Sequence, residues 1–523
     1  MKKTETQKQR RRAVHAYALL FFVLALGSAS AEKKMNILFL LTDDQAYRTL
    51  GITGNDQVKT PNIDRLGQHG LVFDRHYDTT AICMGSRANL MSGMYEYKNG
   101  CNFDHGAMGT KQWSTSYPAL LKEAGYRVGN AGKFGFAVKD NRNVDQRGIE
   151  GTGVKETFDV YLTKGGQCNY TTAKNKDLGT YEKENPHLTQ ALAAASIDFM
   201  RDAVEEGRPF CLTVGFKAPH KPLEPDPQFD HIYKNTIWKK PGNYGREAGL
   251  HLAEQSRQDR QYKRYWDEAY STDEKYQSTL RKYHQLIYGV DVAVGKIMRG
   301  VEELGIAENT VVIYSSDNGY LLGSHGLGGK ALPYEEGARA PLIIYDPRSP
   351  KRGTMRRTTS LTGNVDIAAT ILDVAGVGIP DVYDGKSLLP IVADEHSKVR
   401  ETLPIIQVFG QEGTRCLSVI NGEYKYIYWF YEGEGMKATE ELFHLTKDPL
   451  EMTNLASNPE AQPVLNKMRK EYDDQVRRWA EQTIDYNGYQ EYGVLLDRQV
   501  DWEIKARLIP EKDAKYIPGT KTF

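Results

Sequence analysis

Two short acidic segments of the chain could together bind a cation. Asp43 and Asp44 directly follow one apolar run, and adjacent carboxylates repel each other unless a positive charge lies nearby. Asp317 and Asn318 follow a second apolar run, and they add a carboxylate and an amide oxygen. Such oxygens are the ligands that hard divalent cations prefer. Each segment alone is equally typical of a turn, but the two at one face would form a metal site.

The surrounding pattern predicts how these segments are positioned. Three short apolar runs, Asn36–Thr42, Phe210–Phe216 and Thr310–Tyr314, are typical of strands that are buried on both faces. Helical patterns precede the last two, at Leu188–Glu206 and Gln277–Leu304. This alternation predicts an α/β fold with a large, mostly parallel sheet flanked by helices. Ligands bind at the carboxyl ends of such strands, so the polar residues that follow the runs are candidate site residues.

The pattern changes towards the C-terminus. After about residue 403 it predicts an antiparallel meander followed by a helix. The strands are expected at Leu403–Phe409, Thr414–Ile420, Tyr424–Phe430 and Glu441–Leu445, and the helix at Ala461–Thr483. We therefore expect a catalytic domain at 32–400 and a smaller antiparallel-sheet subdomain at 401–523.

The first 31 residues have the order of a secretory signal peptide. Basic residues precede an apolar run, Ala16–Leu26, which is followed by small residues ending at Ala31. The run is far shorter than the roughly 20 residues that a membrane span needs. Residues 1–31 are therefore predicted to be removed, which leaves a periplasmic or secreted protein with no membrane span.

Composition excludes some classes of protein. The 523 residues include 68 basic and 68 acidic side chains, which argues against a strongly basic nucleic-acid binder. Five cysteines are too few for a disulfide-built scaffold, and an odd number leaves at least one unpaired.

Two long polar stretches, 138–185 and 221–276, predict functional loops. The second stretch is rich in aromatic residues, which indicates either a sugar-binding platform or an amphipathic surface helix: Tyr262, Tyr265, Trp266, Tyr270 and Tyr276.

The segment Cys83–Gly93 carries the most specific motif. Alone, Cys83 is equally consistent with a small buried apolar residue. The segment resembles the sulfatase signature, in which a cysteine is followed by any residue, proline, serine and arginine. Other segments resemble motifs of the same family, in the expected order, between Met35 and Ala480. They are Thr60–Leu66, Leu121–Tyr126 with Gly132-Lys133, Ala218–Pro222, Gly323–Pro341 and Glu441–Leu455.

The resemblance to type I sulfatases implies the fold of the alkaline phosphatase superfamily and a formylglycine nucleophile. In this family the cysteine, here Cys83, is oxidised to formylglycine (3-oxoalanine) by a maturation enzyme, and its hydrated aldehyde attacks the sulfur. The resemblance also implies a calcium ion with these ligands: Asp43, Asp44, Cys83, Asp317 and Asn318.

The resemblance assigns roles to four further residues. Arg87 is expected to hold the formylglycine hydroxyl, and Lys133 and Lys330 to bind sulfate oxygens. His220 is expected to bind substrate and to protonate the departing alkoxide. The positive charges of Lys133 and Lys330 would stabilise the negative charge that develops on the sulfate in the transition state. The imidazole of His220 is suited to proton transfer near neutral pH.

Two positions depart from the family pattern. Gly85 stands where the signature has proline, a position that helps the maturation enzyme recognise its substrate. Gly135 stands where the family commonly has a histidine linked to the formylglycine hydroxyl. Either another group, such as His105 or His325, takes over that task, or the protein works without it.

The sequence therefore predicts an exported sulfatase that acts on sulfate esters of carbohydrates. Two alternatives stay open at this point. One is a phosphodiester or phosphonate hydrolase that uses the same metal site, and the other is a sulfated-glycan binder without turnover. The altered Gly85 and Gly135 favour the binder.

Overall fold

The computed structural model describes residues 34–140, 154–162 and 166–509. The predicted signal segment, 1–31, lies outside these residues, as does the end of the predicted C-terminal subdomain. Within the described ranges, no helix combines the length and the apolar character that crossing a bilayer requires. All five cysteines are buried.

Fourteen strands form a large sheet, a two-stranded pair and a four-stranded sheet among the described residues. The strands are β1 (Asn36–Asp43), β2 (Leu71–Phe73), β3 (His76–Tyr77), β4 (Arg127–Gly132), β5 (Val160–Leu162), β6 (Phe210–Pro219), β7 (Thr310–Ser316), β8 (Leu342–Tyr345), β9 (Arg356–Thr358), β10 (Thr362–Gly363), β11 (Leu403–Gln407), β12 (Cys416–Ile420), β13 (Tyr424–Trp429) and β14 (Thr439–His444).

The large sheet has the order β5-β4-β6-β1-β7-β8-β2-β9. Its pairs are parallel except that β8 runs antiparallel to β7 and to β2. The three central strands β6, β1 and β7 are buried at every residue, as their continuous apolar sequences predict. The prediction of a large, mostly parallel sheet is therefore confirmed.

Helices cover both faces of this sheet. The α-helices are α1 (Pro61–His69), α2 (Cys83–Ser92), α3 (Glu96–Asn99), α4 (Thr110–Trp113), α5 (Tyr117–Glu123), α6 (Val154–Thr157), α7 (Leu188–Glu205), α8 (Trp266–Ala269), α9 (Asp273–Glu303), α10 (Glu335–Ala338), α11 (Asp366–Val374), α12 (Leu389–Ala393), α13 (Gln462–Gln482), α14 (Tyr492–Leu495) and α15 (Trp502–Lys505). On one face Leu38 and Leu40 of β1 pack against α7 and α9. On the other, Phe39 packs in a core with α2, α5 and α11, because alternate residues of a strand point to opposite faces.

The smaller sheet, β11-β12-β13-β14, is antiparallel throughout, as predicted. Helix α13 packs against it through one apolar stripe: Leu465, Met468, Tyr472, Val476 and Trp479. Tyr77 and Tyr334, from the preceding part of the chain, belong to the same core. The smaller sheet therefore packs against segments of the preceding part of the chain.

Candidate functional site

Four neighbouring strands deliver the predicted polar residues to one edge of the large sheet. Strands β4, β6, β1 and β7 are adjacent and parallel, and register pairs Gly132 with Gly215, Asp43 with Pro219, and Thr42 with Ser316. The residues that follow these strand ends therefore meet at the carboxyl edge: Lys133 after β4, His220 after β6, Asp44 after β1, and Asp317 and Asn318 after β7.

The oxygen-bearing side chains are in direct contact. Asn318 Nδ2 donates to Asp44 Oδ1 at 2.8 Å, and the backbone N–H of Asp44 donates to Asp317 Oδ1 at 3.2 Å. Asp44 has a φ of 69°, a left-handed conformation that is uncommon outside glycine. Tyr283 fixes this turn, since its hydroxyl donates to the carbonyl of Asp44 at 2.6 Å. All four oxygen-bearing side chains, including Asp43, are buried.

Cys83 is the first residue of α2 and faces this group. Its Sγ lies 3.2 Å from Asp43 Oδ1 and 2.5 Å from Lys330 Nζ. Arg87 is one helical turn further along the same face, as expected for residues four apart. Its Nε donates to Asp317 Oδ2 at 2.7 Å, and its Nη1 donates to the carbonyl of Lys133 at 2.6 Å. The helix therefore holds the cysteine and the arginine in one fixed arrangement.

Two buried lysines complete the site. Lys133 Nζ lies 2.6 Å from Asp43 Oδ2 and 4.0 Å from Asp317 Oδ2. Lys330 forms an ion pair with Asp44 and also contacts Cys83. Burying a carboxylate is costly unless an opposite charge lies close to it. These lysines therefore supply positive charge to the crowded carboxylates.

His220 lies at the rim of the same group and is partly buried. Its Nε2 is 3.8 Å from Asp44 Oδ2, and its Nδ1 is 2.5 Å from the carbonyl of Lys221. The carbonyl accepts a hydrogen bond, so Nδ1 carries a proton and Nε2 points to the centre of the site. Burial lowers the pKa of His220 to about 4.

Electrostatic effects in the site are strong. Burial acts to raise the pKa of Asp43, but Lys133, His220, Lys330 and Arg87 outweigh it and hold that pKa well below its usual range. Burial, followed by the charge of Asp43, raises the pKa of Asp317 to about 6. Burial and the charge of Asp43 raise the pKa of the Cys83 thiol to about 12. An unmodified Cys83 is therefore a protonated thiol at neutral pH, which is a weak nucleophile.

The donor set fits a hard cation such as calcium. Ligand atoms of Asp43 and Asp44 lie within 4.8 Å of each other and of Cys83 and His220, and two further oxygen-bearing side chains, Asp317 and Asn318, hydrogen-bond with Asp44. Among the described residues Asn318 Oδ1 is buried and has no hydrogen-bond partner, although such an oxygen is costly to leave unpaired. An oxygen-binding cation would satisfy it, and three carboxylates would supply the negative charge.

Sequence reasoning missed one polar residue of the site. Gln167 Nε2 donates to Asp43 Oδ2 at 3.0 Å, and no partner of its buried Oε1 is found in the described part of the chain. The residue lies in the polar stretch 138–185, which the sequence marks as a functional loop, but a single glutamine has no distinguishing spacing. Only the path of the chain brings it to Asp43.

Neither histidine that was considered as a substitute is a partner of Cys83 in the described structure. The ring nitrogens of His105 lie 3.2 Å and 2.8 Å from the carbonyls of Asn487 and Val408. His325 instead lies with Glu336 and Glu451 in a separate group of ligand-type side chains. No hydrogen bond joins either imidazole to Cys83 across the described ranges, so the protein does not place either one where the family histidine would be.

Comparisons with known proteins agree with this arrangement. The sequence model of the sulfatase family matches residues 35–377, and that of the N-sulphoglucosamine sulphohydrolase C-terminal region matches 323–478. An N-acetylglucosamine-6-O-sulfatase of Bacteroides thetaiotaomicron is 26% identical over 532 residues, which covers 87% of this chain and 91% of that protein. The human N-acetylglucosamine-6-sulfatase is 27% identical, with 84% of this chain and 85% of that protein covered.

Solved structures show the same fold. A protein in complex with its substrate D-glucosamine-2-N,6-O-disulfate has a TM-score of 0.70 and 24% identity, with 87% of this chain and 99% of that chain covered. A phosphonate monoester hydrolase of Agrobacterium radiobacter has a TM-score of 0.67 and 19% identity, with 86% and 96% covered. The family model spans well over half of the chain. This protein therefore belongs to the sulfatase family, the sulfuric ester hydrolases of the alkaline phosphatase superfamily.

Proposed function

We propose that the protein hydrolyses sulfate esters of carbohydrates, with a formylglycine made from Cys83 and a bound calcium ion. The observation that carries the proposal is the convergence of Cys83 with Lys133, Lys330 and His220 beside the carboxylates at one strand edge. Calcium ligands would be Asp43, Asp44, the modified Cys83, Asp317 and Asn318.

Formylglycine and calcium would supply different chemistry. Formylglycine provides, in its hydrated form, a hydroxyl nucleophile that the thiol of Cys83 does not offer. A calcium ion neutralises sulfate oxygens and favours the ionised form of that hydroxyl. Both suit a site where Cys83 is buried against Asp43 and where Asn318 Oδ1 needs a partner.

The side chains of this chain then bind the sulfate and its leaving group. Lys133 and Lys330 place two ammonium groups at Asp43, Asp44 and Cys83, where they would stabilise charge that develops on sulfate oxygens. His220 presents Nε2 towards the same point. An anionic substrate favours the protonated imidazole, which would donate the proton at Nε2 to the departing oxygen. Arg87 holds Asp317 and supports the modified residue.

Relatives support a carbohydrate substrate. The Bacteroides and human relatives are named as N-acetylglucosamine 6-sulfatases, and a solved structure of the same fold contains a sulfated glucosamine. Another relative, from Clostridium perfringens, is named simply arylsulfatase and is 25% identical. We therefore infer that the substrate class is sulfated sugars and that small aryl sulfates serve as test substrates.

We also propose that the protein is exported and matured by a formylglycine-generating enzyme. The order of basic, apolar and small residues over 1–31 supports export. A relative from Drosophila melanogaster is named an extracellular sulfatase. The division into a catalytic domain, 32–400, and a C-terminal subdomain, 401–523, remains part of the proposal, although residues before 401, among them Tyr77 and Tyr334, pack in the core of the smaller sheet.

Mass analysis and paired substrates test the proposal together. The protein is co-expressed with a formylglycine-generating enzyme, and the peptide that contains Cys83 is weighed. We expect conversion to the aldehyde, activity on aryl sulfate, and loss of that activity in Cys83→Ala. Matched aryl phosphate and phosphonate esters serve as controls. Full activity with an unmodified thiol, or faster cleavage of the phosphorus esters, would refute the proposal.

A further inference from the structure

A turn of π-helix, Gln261–Tyr265, is fixed against the loop that carries Lys330. Gln261 Nε2 donates to the carbonyl of Lys330 at 2.7 Å. The ring of Tyr265 lies so close to Gly329 that a Cβ on this glycine would be 2.6 Å from Tyr265 Cδ2. π-Helical turns often occur at functional sites. This turn therefore has a set position relative to one of the proposed sulfate-binding lysines.

An aromatic surface borders the site beside this turn. Phe409 packs in a small cluster with Ile82 and Ala331, the sequence neighbours of the nucleophile and of the second lysine. Its ring lies 5.8 Å from that of Phe103, which is 45% exposed. Of the aromatic residues of the polar stretch 221–276, Tyr265 is half-buried, whereas Trp266, Tyr270 and Tyr276 form a separate buried cluster. Part of the aromatic set thus lies at the mouth of the site.

Arg260 lies between these rings. Its guanidinium is 4.8 Å from the ring centre of Phe409 and 5.9 Å from that of Tyr265. No ion pair of Arg260 exists within residues 34–140, 154–162 and 166–509. Asp259 accepts from the backbone N–H of Arg260 at 2.6 Å and not from its guanidinium, and Asp104, which also interacts with its charge, is paired with Arg415 at 3.7 Å. The arginine therefore has donors for a further anion.

A second cation lies on the same ring. Lys221, the neighbour of His220, has its Nζ 3.8 Å from the ring centre of Tyr265. It is 3.4 Å from Glu268, which in turn binds Arg264. Lys221 is thus partly neutralised, and Arg260 is the better candidate for binding an anion.

We propose that Arg260, with the rings of Tyr265 and Phe409, forms a subsite for a second anionic group, carried either by the sugar whose sulfate ester is cleaved or by the sugar joined to it. The inference rests on the proposed function and specifies its substrate class, namely glycans that carry two anionic groups close together. A planar guanidinium binds sulfate or carboxylate through two parallel hydrogen bonds. The buried ring of Phe409 supports the guanidinium, and the half-buried ring of Tyr265 provides an apolar surface for a sugar face. The second anion is a sulfate on the same sugar or a carboxylate on the adjoining one.

Steady-state kinetics on a set of substrates tests the subsite. The set comprises an aryl sulfate, N-acetylglucosamine 6-sulfate, glucosamine with N- and 6-O-sulfates, and a 6-sulfated disaccharide with a uronic acid. We expect Arg260→Gln to lower kcat/KM about 10- to 100-fold on the substrate that carries the recognised second anion, the size expected for a charged hydrogen bond. It should stay within about 3-fold of wild type on the other substrates. Whichever doubly anionic substrate responds identifies the anion.

Lys263 provides the matched control. It lies in the same turn, is exposed, and its Nζ donates to Gln258 Oε1 at 3.1 Å. Lys263→Gln should leave every kcat/KM within about 3-fold, which excludes a general effect of positive charge. Equal losses in Arg260→Gln on all substrates, or no loss on either doubly anionic one, would overturn the subsite while aryl sulfate activity remained. Absence of sulfate ester hydrolysis by the wild type would instead overturn the proposed function and the subsite with it.

Discussion

Gly135 lies directly against Arg87. A Cβ built on Gly135 would stand 2.5 Å from Arg87 Cδ and 3.3 Å from Lys133 Cε, and the glycine has a φ of 94°. A side chain at this position would therefore displace both basic residues. The local packing therefore leaves no room for the histidine that the family commonly has at this position.

Gly85, which replaces the proline of the family signature, is also closely surrounded by other side chains. A Cβ on Gly85 would lie 2.6 Å from Thr80 Cγ2 and 3.2 Å from Glu96 Oε2. Thr80 thus fills the space beside the signature helix that a larger residue would need. Although both positions are glycine, Cys83 still contacts Asp43 and Lys330 in the site. This arrangement argues against a sulfated-glycan binder without turnover.

We predict that Gly135→His, which restores the family histidine, lowers activity. Displacement of Arg87 and Lys133 by even 1 Å should reduce kcat/KM by about 100-fold. Overpacking and the left-handed backbone should also reduce the free energy of unfolding by about 2–4 kcal/mol. Aryl sulfate kinetics and urea unfolding measure the two effects.

Gly125→Ala is the control for that variant. Gly125 has a φ of 83°, but nothing lies within 4 Å of a Cβ built on it. Gly125→Ala should reduce the free energy of unfolding by about 1–2 kcal/mol, which is the backbone cost alone, and should leave kcat/KM unchanged. A Gly135→His variant as active as wild type would mean that the contact with Arg87 is not needed.

We predict that Lys330→Met lowers kcat/KM by about 10²- to 10³-fold. The variant removes a buried ammonium group that contacts Asp44 and Cys83 and that, in the proposed function, stabilises the charge that develops on the sulfate oxygens. Lys330→Arg keeps the charge with a different geometry and should lose less. If Lys330→Met retained more than half of the activity, the lysine would have no role in binding sulfate.

Removal of calcium should inactivate and destabilise the protein. We expect about one bound calcium ion per chain by elemental analysis, and loss of aryl sulfate activity after treatment with a chelator. Calcium at about 100 times its Kd should restore activity and add about 2.7 kcal/mol to the free energy of unfolding. Asp317→Asn should abolish both effects, because it removes a carboxylate that contacts Arg87 and the backbone of Asp44.

Glu336→Gln separates the two candidate metal sites in that experiment. Glu336 belongs to the other group of ligand-type side chains, with His325 and Glu451. This variant should keep the same calcium content and activity. Loss of calcium in Glu336→Gln but not in Asp317→Asn would show that the ion binds at His325, Glu336 and Glu451 and would contradict the proposed calcium site.

A buried histidine should make stability depend on pH. Burial lowers the pKa of His284 to about 3, and the ring stacks on Trp238 at 4.4 Å. Between about pH 6.5 and 3 only the unfolded chain binds this proton, so stability falls as pH falls. From pH 6 to 5 we expect His284→Gln to lose about 1 kcal/mol less than wild type in urea unfolding. The same substitution at exposed His396 should not change the pH dependence; an equal effect there would rule out burial as the cause.

The sequence by itself determined the local parts of the protein. Continuous apolar runs predict buried strands because burial on both faces requires apolar side chains at every position, and β1 and β7 agree with that pattern. The carboxylates after those runs were predicted to share one edge, since parallel strands end on the same side. The motif around Cys83 indicated the family. Short-range patterns were sufficient for these features.

The tertiary structure alone decided which of these parts meet. Strand order brings β4 and β6 beside β1, although the chain separates their residues widely; Lys330 and Asp44, in direct contact, are 286 positions apart. Gln167, Arg260 and Phe409 carry no motif, and only the packing of distant segments places Gln167 against Asp43 and Arg260 against the ring of Phe409. The physical reason is that local sequence encodes burial and turn preference, whereas the convergence of side chains depends on long-range packing of the whole chain.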